Sequence, residues 1–128
     1  MRAVDTNVLV RLITRDDPKQ VAAAEACVEK GAWVPHLALA EATRVLASVY
    51  DRSARDIATA VEMLLNHQHL TLQDEDTVAA AIVQFRGRPA VGFSDCLMVE
   101  VARKAGHGPL ATFDTNLGKL DGAERLRA

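Results

Sequence analysis

The chain has 128 residues, of which 49% are apolar, and a formal net charge of −2. This length can bury one hydrophobic core but is too short for two ordinary domains, so we expect a single domain over residues 1–128. Apolar runs such as residues 37–40 and 96–99 fall far short of the roughly 20 residues that cross a bilayer. No basic-then-apolar signal opens the chain, and we expect a cytoplasmic protein.

The net charge and the cysteines limit the kinds of ligand that we expect the chain to bind. The slightly acidic balance argues against broad, nonspecific binding of nucleic acid, so any such contact must be local. Cys27 and Cys96 are far apart and form no CxxC pair. They indicate neither a disulfide framework nor a thiolate metal site, and we predict that both are buried free thiols.

Short apolar segments alternate with helical patterns along the whole chain. Helix starts are signalled by Asp17 before Pro18 and by Ser53, and helix ends by Gly31 and Gly106. The predicted elements are a strand at residues 2–4, helices over 8–13 and 18–30, a strand at 32–34, helices over 37–50 and 54–66, a strand at 70–72, helices over 74–85 and 94–106, a strand at 109–113 and an edge strand near 125–126. This alternation predicts a three-layer α/β/α domain with a short, mostly parallel sheet of four to five strands.

Two acids directly follow predicted strands. Asp5 comes after the first strand and Asp114 comes after the strand at residues 109–113. Because the carboxyl ends of parallel strands meet at one edge of a sheet, we expect both carboxylates at that edge, where sites form in folds of this class. Taken singly, Asp5 could instead be a helix cap and Asp114 a turn residue.

Two further acids belong to helical patterns. The helical neighbours of Glu41 are apolar except for Arg44, so we expect this carboxylate on a mostly apolar, buried stripe. A buried acid needs a cation, an ion pair or strong hydrogen bonds, and an ion pair with Arg44 is the structural alternative. Asp95 begins an otherwise apolar helix, where it could serve as a cap.

Several acids gathered at one end of a sheet repel one another, and a divalent cation removes that repulsion. Oxygen ligands without histidine or cysteine select Mg²⁺ or Mn²⁺ over zinc. Such ions suit the hydrolysis of phosphodiester bonds to a 5′-phosphate and a 3′-hydroxyl. His67 and His69 could suggest zinc, but they are far from the acids in the predicted fold, and we interpret them as a solvated pair.

The order of short motifs along nearly the whole chain resembles the PIN-domain nucleases, and more narrowly the VapC-type toxins of type II toxin–antitoxin pairs. Each motif alone is weak, but this combination, at these separations and in a chain of this length, is fairly specific. The motifs are Val4-Asp5-Thr6-Asn7 followed by Val8 and Leu9, Leu39-Ala40-Glu41 with Val45-Leu46, Phe93-Ser94-Asp95, and Leu110-Ala111-Thr112-Phe113-Asp114.

The resemblance implies an endoribonuclease that depends on Mg²⁺ or Mn²⁺. It also implies a homodimer and an antitoxin whose tail covers the active site. Asp5, Glu41 and Asp95 match three acids of the family most firmly, and Asp114 matches a fourth whose placement varies more. The resemblance makes all four both catalytic residues and metal ligands.

The resemblance also suggests supporting residues. Thr6, Asn7 and Thr112 fall where the family often has small polar residues that orient carboxylates or water. An arginine on a helix is ordinarily just solvated, although some arginines could contact RNA phosphates. The candidates are Arg11, Arg15, Arg44, Arg86 and Arg88.

Three other functions are weighed against this interpretation. A haloacid-dehalogenase-like phosphatase needs a second aspartate two residues after its nucleophile, and this chain has Asn7 there. Cofactor dehydrogenases are disfavoured because no GxGxxG follows the first strand. The stronger alternative is a catalytically inactive PIN-like module that binds RNA or a protein partner, which metal-dependent cleavage would distinguish from a nuclease.

Overall fold

The computed structural model describes all of residues 1–128, and the elements predicted from the sequence are confirmed within a few residues at each end. A 3₁₀ turn over Leu117–Lys119 precedes the last strand. The elements are β1 Arg2–Ala3, α1 Thr6–Thr14, α2 Pro18–Glu29, β2 Ala32–Val34, α3 His36–Ser48, α4 Ala54–Leu65, β3 Leu70–Leu72, α5 Glu75–Gly87, α6 Phe93–Ala105, β4 Leu110–Thr112 and β5 Ala123–Arg125.

Local signals set most of the helix ends. The Asp17 carboxylate accepts a hydrogen bond from the Gln20 amide at 3.1 Å and caps α2. The Ser53 hydroxyl caps α4 in the same way, because it accepts from the Asp56 amide at 3.1 Å. Gly106 ends α6 with a φ of 82°, a left-handed conformation that glycine adopts without steric cost. These interactions are local in sequence, which is why the elements could be predicted.

The strands pair in parallel, but they form two hydrogen-bonded sheets instead of the single predicted sheet. In the first, β2 lies between β1 and β3, with Ala32 opposite both Arg2 and Leu70. The second sheet pairs β4 with β5, with Leu110 opposite Ala123. No strand pairing therefore links the end of β1 to the end of β4.

One hydrophobic core of 28 buried residues joins the elements into a three-layer α/β/α domain. Leu9, Leu39, Val78 and Val99 are among its fully buried side chains. None of the helices is both long and apolar enough to cross a membrane.

Only one of the two thiols is buried as predicted. Cys96 lies in the core, whereas Cys27 is partly exposed and its sulfur accepts a hydrogen bond from the Arg2 guanidinium at 3.3 Å. The prediction that both thiols are buried is therefore wrong for Cys27, because α2 turns this position toward the surface.

Candidate functional site

Asp5 lies at the junction of β1 and α1. The Val4 amide donates to the Trp33 carbonyl at 2.9 Å, which fixes the chain beside β2 immediately before Asp5. Asp5 then caps α1, and its Oδ1 accepts from the Val8 amide at 3.2 Å. The capping interpretation is thus confirmed for Asp5. It does not exclude a functional role, because the side chain is exposed and its second oxygen has no hydrogen-bond donor.

Glu41 lies in the second turn of α3 and is exposed, so the prediction of a buried stripe is wrong. The apolar neighbour Leu37 is itself 78% exposed, because α3 buries a different face. Arg44 does not form the alternative ion pair with Glu41. The Glu41 Oε2 instead accepts from the Thr6 hydroxyl at 3.3 Å, which joins α3 to the start of α1 beside Asp5.

Asp95 is the third residue of α6, whose N-cap is Gly92, so Asp95 is not the cap. Its side chain is partly buried and accepts no hydrogen bond. The neighbouring Ser94 hydroxyl accepts from the Arg44 Nε at 3.2 Å, and Arg44 lies one helical turn beyond Glu41 on α3. Helix α3 therefore contacts the start of α1, beside Asp5, and the start of α6, beside Asp95.

Asp114 lies two residues after the end of β4 and is exposed. Its Oδ1 accepts from the Leu117 amide at 2.8 Å, and its own amide donates to the Thr112 hydroxyl at 3.0 Å. The turn interpretation is thus confirmed for its local contacts. No hydrogen bond joins Asp114 to the other three acids, and β4 reaches the site region only through its packing against α6.

The four candidate acids share the absence of a cationic partner. Of the 17 acids in the chain, only six form ion pairs, namely Asp16, Glu25, Glu62, Asp74, Glu100 and Asp121, so several other acids are also unpaired. No group of three or more Asp, Glu, His or Cys side chains is arranged to hold a metal ion. The donor set nevertheless fits a hard divalent cation, because it consists of unpaired carboxylate oxygens without nitrogen or sulfur.

The candidate supporting residues differ in their contacts. Thr6 donates to the Glu41 carboxylate, and Thr112 accepts from the Asp114 amide, so each contacts one candidate acid. Asn7 is exposed and its side chain makes no hydrogen bond. Sequence reasoning did not single out Phe113, which is 67% exposed and directly precedes Asp114. The sequence placed it in the predicted strand at residues 109–113, and its position next to Asp114 was the available signal.

Three of the candidate RNA-binding arginines are held by neighbouring acids. Arg11 pairs with Asp16 at 3.2 Å, and Arg15 pairs with Glu25 at 2.7 Å. Arg86 pairs with Glu62 across α4 and α5. By contrast, the Arg88 side chain forms no ion pair, and the Arg44 side chain donates a hydrogen bond only to the neutral Ser94 hydroxyl.

Fold and site together define a three-layer α/β/α domain with Asp5 between β1 and α1, Asp95 in the first turn of α6 and Asp114 in the turn after β4. The chain belongs to the PIN domain family, whose match spans residues 2–123. PIN domains are generally metal-dependent nucleases, that is, hydrolases that act on nucleic acids. A search of curated proteins finds no match for this chain.

Proposed function

We propose that this protein is an endoribonuclease that depends on Mg²⁺ or Mn²⁺ and uses Asp5, Glu41, Asp95 and Asp114 as its active site. The observation that carries the proposal is that α3 is hydrogen-bonded to the start of α1, beside Asp5, and to the start of α6, beside Asp95. None of the four acids has a cationic partner. Carboxylates held near one another favour binding of a cation, since their mutual repulsion raises the free energy of the metal-free protein.

The candidate residues would have different roles in the active site. Asp5, Asp95 and Asp114 would hold one or two divalent ions, and Glu41 would bind directly or through a water. When bound, such an ion activates water and neutralises negative charge at the phosphate. Thr6 holds the Glu41 carboxylate toward α1 through its hydroxyl. The Asp5 cap fixes the side-chain direction of that residue without occupying its second oxygen.

A single-stranded substrate is favoured by the exposed ring of Phe113 beside Asp114, and the choice of RNA rests on the resemblance to VapC-type toxins. Proteins that recognise single-stranded RNA stack unpaired bases on exposed aromatic side chains. A base that stacks on Phe113 would place its neighbouring phosphate close to the carboxylate of Asp114. Stacking tolerates different bases, so this contact would hold an RNA strand without reading its sequence.

Cleavage of total cellular RNA by the purified protein tests this function. We expect discrete fragments with Mg²⁺ or Mn²⁺ and none with EDTA or with Asp5→Asn. Asp17→Asn is the matched control, because Asp17 caps α2 as Asp5 caps α1 but lies outside the candidate site. If no divalent ion gives cleavage, the nuclease proposal is overturned in favour of a module that only binds RNA or protein.

We further propose that the protein is the toxin of a VapBC-type pair, acts as a homodimer and is inhibited by an antitoxin whose tail covers the active site. The order of the motifs along the chain supports this role. Induced expression in bacteria should arrest growth for the parent and for Asp17→Asn, but not for Asp5→Asn. Growth arrest that persists in Asp5→Asn would contradict the role, and sedimentation equilibrium would test the dimer.

A further inference from the structure

A groove extends over the surface from the start of α6. Its first part, of about 240 Å³, lies between α3, the start of α4 and the start of α6. Its second part, of about 350 Å³, lies between the start of α4 and the end of α5. Ala54, Phe85 and Pro89 line both parts, so the two are continuous.

The groove is positively charged. Arg44 and Arg52 line its first part, and Arg55 and Arg86 line its second part. No Asp or Glu lines either part, although acids outnumber bases in the whole chain. Arg86 is paired with Glu62, but Arg44, Arg52 and Arg55 form no ion pair. Three guanidinium groups therefore remain available to an anionic ligand, and we call this surface the arginine groove.

The arginine groove begins at the candidate active site. Ser94, which lines its first part, directly precedes Asp95 and accepts the hydrogen bond from Arg44. Arg44 lies one turn from Glu41 along α3. A polymer that reaches Glu41 and Asp95 can therefore continue into the groove and then run along the start of α4.

A neighbouring cleft differs from the arginine groove in the charge of its lining. This cleft, of about 500 Å³, lies between α1, α2 and α4, and Arg52 borders it as well. Its wall also carries the Arg15–Glu25 ion pair and Asp56, so the acids there offset the positive charge. The arginine groove has no acid in its lining, so it is the more positive of the two surfaces that Arg52 borders.

We propose that the arginine groove binds the phosphate backbone of a single RNA strand on one side of the bond that is cut. The proposal rests on the proposed nuclease function for the identity of the ligand. Guanidinium groups match phosphate oxygens in a planar, two-pronged geometry, and backbone contacts position RNA without fixing its sequence. The binding residues are Arg44, Arg52 and Arg55, of which Arg52 and Arg55 were not candidates from the sequence.

Binding of a fluorescent single-stranded oligoribonucleotide, measured by anisotropy in EDTA, tests the groove without cleavage. The test variant is Arg52→Gln/Arg55→Gln. The matched control is Lys19→Gln/Lys30→Gln, which removes the same charge from exposed, unpaired positions on and beside α2. Circular dichroism and thermal unfolding would verify that all variants are folded.

We expect the groove variant to raise the Kd roughly twentyfold at about 0.1 M salt, because each lost phosphate contact in single strands changes the slope of log K against log salt by about 0.7. The control should bind like the parent. Equal weakening in both variants, or no binding by the parent, would overturn the groove. If the parent cleaves RNA but the groove variant binds as tightly as the parent, the groove proposal is overturned and the nuclease proposal stands. If binding depends on the arginines but no cleavage occurs, only the nuclease proposal is overturned.

Discussion

Asp5 combines a structural contact and a proposed chemical role in one side chain. Its Oδ1 caps α1, and its exposed carboxylate belongs to the candidate metal site. Asparagine retains an oxygen for the cap but removes the charge, whereas alanine removes both. Substitutions at this position can therefore separate the contribution to folding from the contribution to catalysis.

Asp5→Asn should lower the cleavage rate by about a hundredfold or more, since a carboxylate ligand to a catalytic ion is lost. Its free energy of unfolding should stay close to that of the parent, and Asp5→Ala should lose about 1 kcal/mol more. Chemical denaturation beside RNA cleavage measures both effects. Asp17→Ala should lose a similar cap energy and keep full activity, and loss of activity there would show that the assay reports folding only.

The two cysteines should differ in reactivity. Cys96 is 0% exposed, and burial, followed by the charges of Asp95 and Glu100, raises the pKa of its thiol to about 12. Since the thiolate is the reactive form, Cys96 should stay unreactive in the native protein, while the partly exposed Cys27 reacts. Titration with a thiol reagent should give one fast equivalent, and a second only in denaturant. Two fast equivalents would mean that the core opens readily around α6.

At the scale of elements, the turn between β4 and β5 depends on a glycine. A Cβ on Gly118 would lie 2.7 Å from the Arg125 Cβ and 3.2 Å from its Cα, so only glycine lets the turn pack this close to β5. The turn begins at Asp114, whose carboxylate accepts from the Leu117 amide. The packing of this turn therefore positions the fourth candidate acid.

Gly118→Ala should lower the free energy of unfolding by about 1–3 kcal/mol, the usual range for an overpacked contact. Gly87→Ala at the end of α5 is the control, because a Cβ there would meet nothing within 4 Å. Urea denaturation compares the two. An unaffected Gly118→Ala protein would indicate that the turn can move away from β5 at little cost.

A cluster around Tyr50 joins α1 and α2 to the segment after α3. The Asp16 carboxylate accepts from the Tyr50 hydroxyl at 2.9 Å and from the Thr14 hydroxyl at 2.9 Å. The Tyr50 bond is the main cause that holds the pKa of Asp16 below its ordinary value of 3.8, and Thr14 and Arg11 add to it. Arg11 also donates to the Tyr50 oxygen at 3.0 Å.

This cluster predicts a dependence of stability on acid. Because the pKa of Asp16 is lowered on folding, its contribution is fully present above pH 3.8 and is lost as the pH falls below that value. Denaturation midpoints between about pH 5 and about pH 2.5 should fall less steeply in Asp16→Asn than in the parent. Parallel curves for the two proteins would refute a role for this carboxylate in acid sensitivity.

At the scale of the whole molecule, the charges are separated in space although the net charge is small. Asp5 and Asp95 lie at the starts of α1 and α6, and three unpaired arginines line the groove that begins beside Asp95. A cation at the acids would lower their negative potential, which would otherwise repel RNA from the end of the groove. Metal binding and RNA binding should therefore support each other.

Divalent metal should stabilise the native protein as a whole. A ligand that binds only the folded state at a hundredfold excess over its Kd adds about 2.7 kcal/mol, so Mg²⁺ or Mn²⁺ should raise the Tm by several degrees. Asp5→Asn and Asp95→Asn should lose most of this shift, and Asp17→Asn should keep it. Thermal unfolding with and without EDTA measures it, and an equal shift in all variants would place the ions elsewhere.

Much of this architecture could be predicted from the sequence, because short-range interactions set it. The caps at Asp17 and Ser53 and the left-handed Gly106 act within a few residues, so the helices were found with nearly correct ends. The PIN resemblance was confirmed by the family match over residues 2–123. The positions of Asp5 and Asp114 after strands followed from the same local patterns.

Only the tertiary structure decided which surfaces meet. The exposure of Glu41, its contact with Thr6 and the Arg44 bond to Ser94 depend on how α3 packs against α1 and α6. The division of the strands into two sheets likewise depends on pairings between distant segments. The helical period predicts that a helix has an apolar face. Which residues are buried, which charges pair and where grooves form depend on the packing of elements far apart in sequence, which no local pattern encodes.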